Sequence, residues 1–281
     1  MKRVEDYNKN LPIAELYTAV QSEGSRAGYP TVVIRTTGCT HRCFFGEGGW
    51  CDSWQTSIHP EKGKYNFNDI VAMYEKNPHI KEMMLTGGSP TMHAAIVNEL
   101  THFAHDNGIF ITMETEGSHF LATDYPIDLL SISPKFSNSV PVLGVPTPQG
   151  KATDERMIKQ HNKFRLNLDA IAMSISYHKD FHMKPVWDGK DPIALNEILT
   201  FMGKLKEELI SHNFGTSAWS DGMGEDEMDV WFPTKVYFMP AGDSREALFK
   251  SYPLVFDWVR DNGYRLTWRP HIMAFEQQRE V

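Results

Sequence analysis

Short apolar runs and longer amphipathic stretches alternate along most of this chain. Runs rich in β-branched and other apolar residues predict strands, which we place at residues 13–21, 31–36, 81–86, 109–113, 127–132, 181–187, 235–239 and 264–268. Helical spacing of apolar residues predicts helices at residues 68–76, 91–107, 154–178, 191–210 and 244–262. Asn68 or Asp69 is the predicted cap of the first helix, and Gly108 and Gly263 are predicted stops. The alternation predicts an α/β fold of parallel strands with helices packed outside.

Two segments interrupt this alternation. Residues 138–150 contain three prolines and two glycines, which predict an irregular loop. Residues 211–229 are rich in glycine and acidic side chains, which predict an excursion from the domain. With residues 1–12 as a polar tail and these two segments as inserted loops, we expect one domain spanning residues 1–281.

One glycine-rich loop, residues 38–54, holds every cysteine of the protein, Cys39, Cys43 and Cys51. Three thiolates on such a loop suggest a soft metal or an iron-sulfur cluster. Three is one fewer than a structural zinc site or an electron-transfer cluster uses, so one coordination position is left open. His41 or His59 would close the site as a fourth ligand, which remains the alternative. The odd number of cysteines argues against disulfides.

Polar or glycine-rich segments recur where predicted strands end. Gly87 and Gly88 follow one strand, Glu114 follows the next, and residues 133–135 follow a third. In sheets of parallel strands, ligand-binding groups gather at the carboxyl ends of the strands. We therefore expect these residues and the cysteine loop to share one edge of the sheet.

The composition limits the classes of function. The chain has 281 residues, 41% of them hydrophobic and 23% charged, as in a soluble globular protein. No apolar run has the length of a membrane span, and residues 1–10 do not resemble a secretory signal, so we expect a cytoplasmic location. A net charge of −8 argues against nucleic acid and favours a small-molecule substrate. Four basic residues are pocket candidates, and are otherwise surface charges: Arg35, Lys135, Lys184 and Arg269.

Several of these motifs together resemble the radical S-adenosylmethionine enzymes: the three-cysteine loop after a strand, Thr-Gly-Gly-Ser-Pro at residues 86–90, Glu114-Thr115 and Ser133-Pro134-Lys135. More narrowly, residues 17–24 and 35–39 are similar to the start of the QueE-type 7-carboxy-7-deazaguanine synthases of queuosine biosynthesis, and residues 263–266 and 269–271 to that family's end. The resemblance covers most of the chain except residues 1–12 and the two loops. It implies an incomplete TIM-type barrel with outer helices, a cytoplasmic homodimer, and an electron donor such as a flavodoxin or ferredoxin.

The resemblance also implies a lyase reaction. A four-iron four-sulfur cluster would bind S-adenosylmethionine at its unligated iron and yield a 5′-deoxyadenosyl radical. That radical would take a hydrogen atom from 6-carboxy-5,6,7,8-tetrahydropterin, whose ring contracts with loss of ammonia to 7-carboxy-7-deazaguanine. By the same resemblance, the cluster ligands are Cys39, Cys43 and Cys51. The cofactor residues are Gly87, Gly88, Ser89, Glu114, Ser133 and Lys135. The substrate residues are Gln21, Glu23, Arg35 and His271, and Ser53 would bind magnesium.

The chain departs from the family pattern at four places. Seven residues separate Cys43 from Cys51, where the usual gap is shorter. Ser89 stands where glutamate is usual, Glu116 where asparagine is usual, and Ser53 where threonine is usual. Two other functions remain open: another radical S-adenosylmethionine enzyme, such as a glycyl-radical activase, and a non-catalytic zinc module closed by a histidine.

Overall fold

A computed structural model describes residues 1–211 and 225–280 of the chain. The strands in those residues are β1 (Ile13–Val20), β2 (Pro30–Thr36), β3 (Glu82–Gly87), β4 (Phe110–Thr115), β5 (Leu129–Ile132), β6 (Phe181–Met183), β7 (Val186–Trp187), β8 (Tyr237–Pro240) and β9 (Arg265–Leu266). Strands β1 to β6 form one sheet in sequence order, and β7 to β9 form a second. The fold is therefore α/β, with a mostly parallel central sheet.

Strand β1 is the exception, because it pairs antiparallel to β2. The prediction that the strands are all parallel is wrong here. Only residues 21–29 connect β1 to β2, and a parallel pair needs a crossover of a dozen or more residues. The short connection folds as a turn, so β2 runs back beside β1.

The predicted strand at residues 181–187 is two strands in different sheets. Strand β6 pairs with β5, whereas β7 pairs with β8. Between them lie Lys184 and Pro185, and a proline has no N–H to donate to a sheet. A parallel bridge between Met183 and Val236 joins the two sheets at this point.

The helices are α1 (Trp54–Ser57), α2 (Phe67–Lys76), α3 (Ala94–Asn107), α4 (Glu155–Phe164), α5 (Leu168–Tyr177), α6 (Pro192–Ser211), α7 (Glu225–Trp231), α8 (Arg245–Asn262) and α9 (Pro270–Phe275). Asn66 caps α2 in a capping box with Asp69, so the predicted cap was placed two to three residues late. The helix predicted at residues 154–178 is divided at Asn167, whose side chain caps α5. Gly108 and Gly263 end α3 and α8 in the left-handed conformation, as the sequence predicts.

The two predicted loops differ in outcome. Residues 138–150 contain the end of a short 3₁₀ turn and one half of an isolated bridge between Pro146 and Ala152. Within the predicted loop at 211–229, residues 212–224 lie outside the described residues. Residues 225–231 form α7, so a loop was the wrong prediction for that part.

The main core includes the apolar side chains of the central strands and of the helices around them. It includes Val32, Met83, Ile111 and Leu130 from the strands, and Ile70, Leu100, Ile171 and Leu205 from the helices. This packing fixes the strands, and thereby the residues at their carboxyl ends. Among the helices of the described part of the chain, none is both long enough and apolar enough to cross a bilayer.

Candidate active site

A cavity lies at the carboxyl edge of the parallel strands. Cys39, Cys43 and Cys51 all border it. Residues that end or follow successive strands complete its wall: Arg35, Thr86, Gly87, Gly88, Glu114, Glu116, Ser133, Lys135, Lys184, Arg269 and His271. The structure thus brings together the cysteine loop and most of the residues that the sequence places at strand ends.

The cysteine loop is held against the end of β3 by close backbone contacts. The N–H of Gly88 donates to Thr36 O at 3.0 Å, and the N–H of Ser89 donates to Gly38 O at 2.8 Å. A Cβ atom on Gly88 would overlap the carbonyl oxygen of Gly38 and lie 2.7 Å from that of Thr56. The glycine at residue 88 is therefore required for the loop to reach the sheet edge.

The expanded gap between the second and third cysteines forms a small hairpin. Phe44 and Trp50 make an antiparallel bridge, and the N–H of Cys51 donates to Cys43 O at 3.1 Å. The Trp50 indole N–H donates to Pro146 O at 2.9 Å. The extra residues therefore project from the loop, while Cys43 and Cys51 remain adjacent.

The three cysteines are free thiols. Burial raises the pKa of Cys39, and the nearby charge of Glu116 adds to this increase. Burial likewise raises the pKa of Cys43 and of Cys51. These sulfurs are therefore poorly ionised by the protein alone, and a bound cation that favours thiolates would offset the cost.

A chain of ion pairs crosses the floor of the cavity. The Lys184 ammonium contacts Glu23 Oε2 at 2.6 Å and Glu114 Oε1 at 2.8 Å. Arg269 contacts Glu23 Oε1 at 3.1 Å and also pairs with Asp52. Burial alone would raise the pKa of Glu23, but the charges of Lys184 and Arg269 overcome burial and lower that pKa below its ordinary value. Glu23 is therefore an anion in the cavity wall.

A second cluster surrounds the buried carboxylate of Glu15. Arg35 Nε donates to Glu15 Oε2 at 2.7 Å, and Arg279 Nε donates to Glu15 Oε1 at 2.6 Å. Arg35 Nη1 also donates to Ser53 Oγ at 2.7 Å. Arg279 comes from residues 276–280, which line the same cavity. The C-terminal part of the described chain is thus tied to the site through a guanidinium.

The remaining predicted residues are placed as follows. Lys135 Nζ donates to Ser133 Oγ at 2.7 Å. His271 Nε2 lies 3.9 Å from Glu23 Oε1. Gln21 is buried and does not line the cavity, and neither amide atom of its side chain has a hydrogen-bond partner among the residues that the structure describes. Ser89 is also buried outside the lining, and its hydroxyl donates to Glu116 Oε1 at 2.6 Å.

The two histidines considered as a fourth metal ligand differ in position. His41 borders the cavity, and its Nε2 is buried with no hydrogen-bond partner in the described part of the chain. His59 is outside the lining and contacts Thr147 Oγ1 at 3.2 Å. In residues 1–211 and 225–280, no three side chains of His, Cys, Asp or Glu converge as ligands of one metal ion.

Sequence reasoning missed Asp52, Glu15 and Arg279 as site residues. Asp52 adjoins Cys51, and that adjacency was the available signal. Glu15 is an acidic residue within the apolar run of β1, which is also a detectable departure. Arg279 lies 264 residues from Glu15 along the chain, and no local pattern predicts their contact.

Comparisons with known proteins agree with this architecture. No protein-family model matches the chain. A 7-carboxy-7-deazaguanine synthase of Halobacterium salinarum is 31% identical over 272 residues, which are 96% of this chain and 93% of the relative. A second, from Rhodopirellula baltica, is 27% identical over 96% of this chain and 88% of the relative. The crystal structure of QueE from Escherichia coli superposes with a TM-score of 0.53 at 18% identity, over 92% of this chain and 93% of that one, which shows a shared fold.

The full-length similarity to these synthases, together with three cysteines of one loop bordering a cavity at the carboxyl edge of a mostly parallel sheet, identifies a protein of the radical S-adenosylmethionine class. The relatives cover nearly the whole chain, including its sheet and its cysteine loop. The chain belongs to the 7-carboxy-7-deazaguanine synthase family.

Proposed function

We propose that the chain is a radical S-adenosylmethionine lyase that converts 6-carboxy-5,6,7,8-tetrahydropterin to 7-carboxy-7-deazaguanine with loss of ammonia. The full-length similarity to synthases of that name supports the proposal. The observation that carries it is one cavity lined both by three free thiols and by Glu23, Arg35 and His271. Such a cavity can hold a cluster-bound cofactor and a polar substrate next to each other.

The residues present fit a four-iron four-sulfur cluster with S-adenosylmethionine. Cys39, Cys43 and Cys51 would ligate three irons of the cluster, which leaves the fourth for the cofactor. When bound, the cluster and the cofactor supply the radical that removes a hydrogen atom from the substrate. Gly87 and Gly88, with Glu114, Ser133 and Lys135, would line the cofactor's side of the cavity.

The substrate side is built from fixed charges. Glu23 stays ionised because Lys184 and Arg269 flank it, so its carboxylate suits the N–H donors of a pterin ring. Arg35 suits the carboxylate of the substrate, and binding there would compete with its pairing to Glu15. His271 would contact the same ligand from beside Glu23. Gln21, whose amide lies outside the cavity wall, would join the substrate site only by moving.

Magnesium at Ser53 fits this arrangement poorly. The Ser53 hydroxyl accepts from the Arg35 guanidinium at 2.7 Å and donates to Asp52 Oδ1 at 3.2 Å. A divalent cation at that oxygen would be repelled by the guanidinium beside it. Magnesium therefore remains a prediction of the family resemblance, and the proposed reaction does not depend on it.

We also propose the wider features that the resemblance implies. The Met183–Val236 bridge between the two sheets supports an incomplete barrel formed from residues 1–281 as one domain. Three free thiols support a reducing, cytoplasmic location. A homodimer and an electron donor such as a flavodoxin or ferredoxin follow from the resemblance alone.

The test is product formation by the reduced, cluster-loaded protein. Incubation with S-adenosylmethionine and the carboxytetrahydropterin should yield 7-carboxy-7-deazaguanine by mass spectrometry. Cofactor cleavage without the deazapurine would instead favour an activase or another radical enzyme. A colourless protein with one zinc, in place of a brown one with about four irons, would favour the zinc module.

A further inference from the structure

We propose that Glu116 binds the α-amino group of S-adenosylmethionine, in place of the glutamate that this chain lacks at residue 89. The inference rests on the proposed function, since it assigns a residue to that cofactor. Ser89 and Glu116 are two departures from the family pattern, and their side chains contact each other. In this chain a carboxylate therefore follows the neighbouring strand β4, at residue 116, and not β3, at residue 89.

The contact between these residues has a defined geometry. Ser89 Oγ donates to Glu116 Oε1 at 2.6 Å, and Thr40 Oγ1 donates to the same oxygen at 3.2 Å. Both hydroxyls are buried. They fix the carboxylate at the position where the end of β4 meets the beginning of the cysteine loop.

Among the described residues, the second carboxylate oxygen of Glu116 has no hydrogen-bond partner. This oxygen, Oε2, is buried, and the whole residue is only 5% exposed. In the described residues, the hydrogen bonds to Glu116 come from the uncharged hydroxyls of Ser89 and Thr40. A buried carboxylate oxygen without a donor is costly, so a ligand that brings an N–H donor would be favoured.

The carboxylate is located where the amino-acid end of the cofactor would lie. Glu116 lines the same cavity as the three cysteines, whereas Ser89 lies behind the wall. Thr40, the residue after Cys39, donates to Glu116 Oε1 at 3.2 Å, so the carboxylate lies beside the beginning of the cysteine loop. A cofactor bound at a cluster held by Cys39, with its amino-acid end toward the cysteine loop, would therefore bring its amino group close to Glu116.

The experiment measures equilibrium binding of S-adenosylmethionine to oxidised, cluster-loaded protein, so turnover is not needed. Glu116→Gln keeps the shape and the acceptor for Ser89 but removes the charge. We expect affinity to fall roughly tenfold to hundredfold, as for loss of a charge-assisted hydrogen bond. An analogue of the cofactor without the α-amino group should bind wild type and Glu116→Gln equally. Ser89→Ala, which keeps the carboxylate, should bind nearly as wild type.

A second variant moves the carboxylate back. Ser89→Glu combined with Glu116→Asn restores the usual family arrangement and should recover most of the affinity. Iron content and melting temperature of each variant report whether the cluster and the fold are intact. If Glu116→Gln binds the cofactor as tightly as wild type, the inference is wrong. If Glu116→Gln does not load the cluster, the double variant provides the test. A double variant that loads the cluster but does not recover the affinity for S-adenosylmethionine also shows that the inference is wrong. Product formation by wild type would stand in either case, so the proposed function is tested separately.

Discussion

The Lys184 ammonium lies 2.6 Å from Glu23 Oε2, inside the floor of the cavity. Lys184 is among the largest fully buried side chains of the described residues. Because it also contacts Glu114 at 2.8 Å, it joins the proposed substrate side to the proposed cofactor side. A charged side chain with so little access to water is stable in the folded protein only while its oppositely charged partners remain in place.

We expect Lys184→Met to destabilise the fold by about 3–5 kcal/mol, because it leaves Glu23 and Glu114 facing each other without their shared cation. Lys184→Arg keeps the charge and should cost less. Urea unfolding of the three proteins measures the difference. Lys179→Met is the matched control, since the Lys179–Asp128 pair is exposed on the lysine side and should contribute under about 1 kcal/mol. A Lys184→Met protein as stable as this control would refute the structural role.

Gly88→Ala should disturb the cysteine loop. The added methyl group would overlap backbone oxygens of Gly38 and Thr56, neither of which can move without shifting the loop. We expect a loss of about 1–3 kcal/mol in stability and a lower iron content per chain. Gly203→Ala in α6 meets nothing within 4 Å and should be neutral or stabilising by up to about 1 kcal/mol. Thermal unfolding and iron analysis of both variants measure these effects. If the Gly88→Ala and Gly203→Ala proteins behave alike, this explanation of Gly88 is wrong.

Arg279→Met should release residues 276–280 from the cavity. Arg279 contacts Glu15 at 2.6 Å and Glu61 at 2.7 Å, and the methionine would break both ion pairs. We expect faster proteolysis near the C-terminus and a severalfold higher KM for the pterin, with iron content unchanged. Arg260→Met is the control, because Arg260 pairs with the exposed carboxylates of Asp257 and Asp261 on α8. Equal proteolysis of both variants would contradict a role for Arg279 in holding this segment.

Buried histidines should make the fold sensitive to mild acid. Burial lowers the pKa of His178 from 6.5 to about 4. The unfolded chain therefore binds a proton that the folded chain excludes between these values, and stability falls as the pH drops below 6.5. For His178 alone, we expect a loss of about 1.4 kcal/mol between pH 7.5 and pH 5.5. His178→Asn should reduce the pH dependence of urea unfolding by this amount, and an unchanged slope would contradict the assignment.

The sequence could predict the cysteine loop, the glycine pair and the strand ends, because each depends on local pattern. Gly87, Glu114 and Ser133 follow strands whose apolar residues identify them, and parallel pairing brings their ends together. The pattern did not predict that β1 runs antiparallel to β2, because the short connection between them decides the direction. It also did not predict that the apolar run at residues 181–187 forms two strands. Pro185 has no N–H to donate, so β6 ends and the chain enters the second sheet as β7.

The charge network could be predicted only in part. Lys184 and Arg269 were pocket candidates, and Glu23 was a predicted substrate residue. The ion pairs that join them are known only from the folded chain, because Arg269 lies 246 residues from Glu23. The contact between Ser89 and Glu116 is similar, since two departures from a family pattern become complementary only when β3 and β4 are side by side. Gln21 shows the opposite result: its motif predicted a substrate contact, yet the side chain is buried behind the wall.

The most direct test of the central claim uses carboxytetrahydropterin deuterated at its saturated ring carbons. Reduced, cluster-loaded protein should convert it to 7-carboxy-7-deazaguanine and form 5′-deoxyadenosine that is heavier by about one mass unit, because the hydrogen atom is abstracted from the substrate. A variant with alanine at residues 39, 43 and 51 should form neither product. Cleavage of S-adenosylmethionine to unlabelled 5′-deoxyadenosine with no deazapurine would contradict the account.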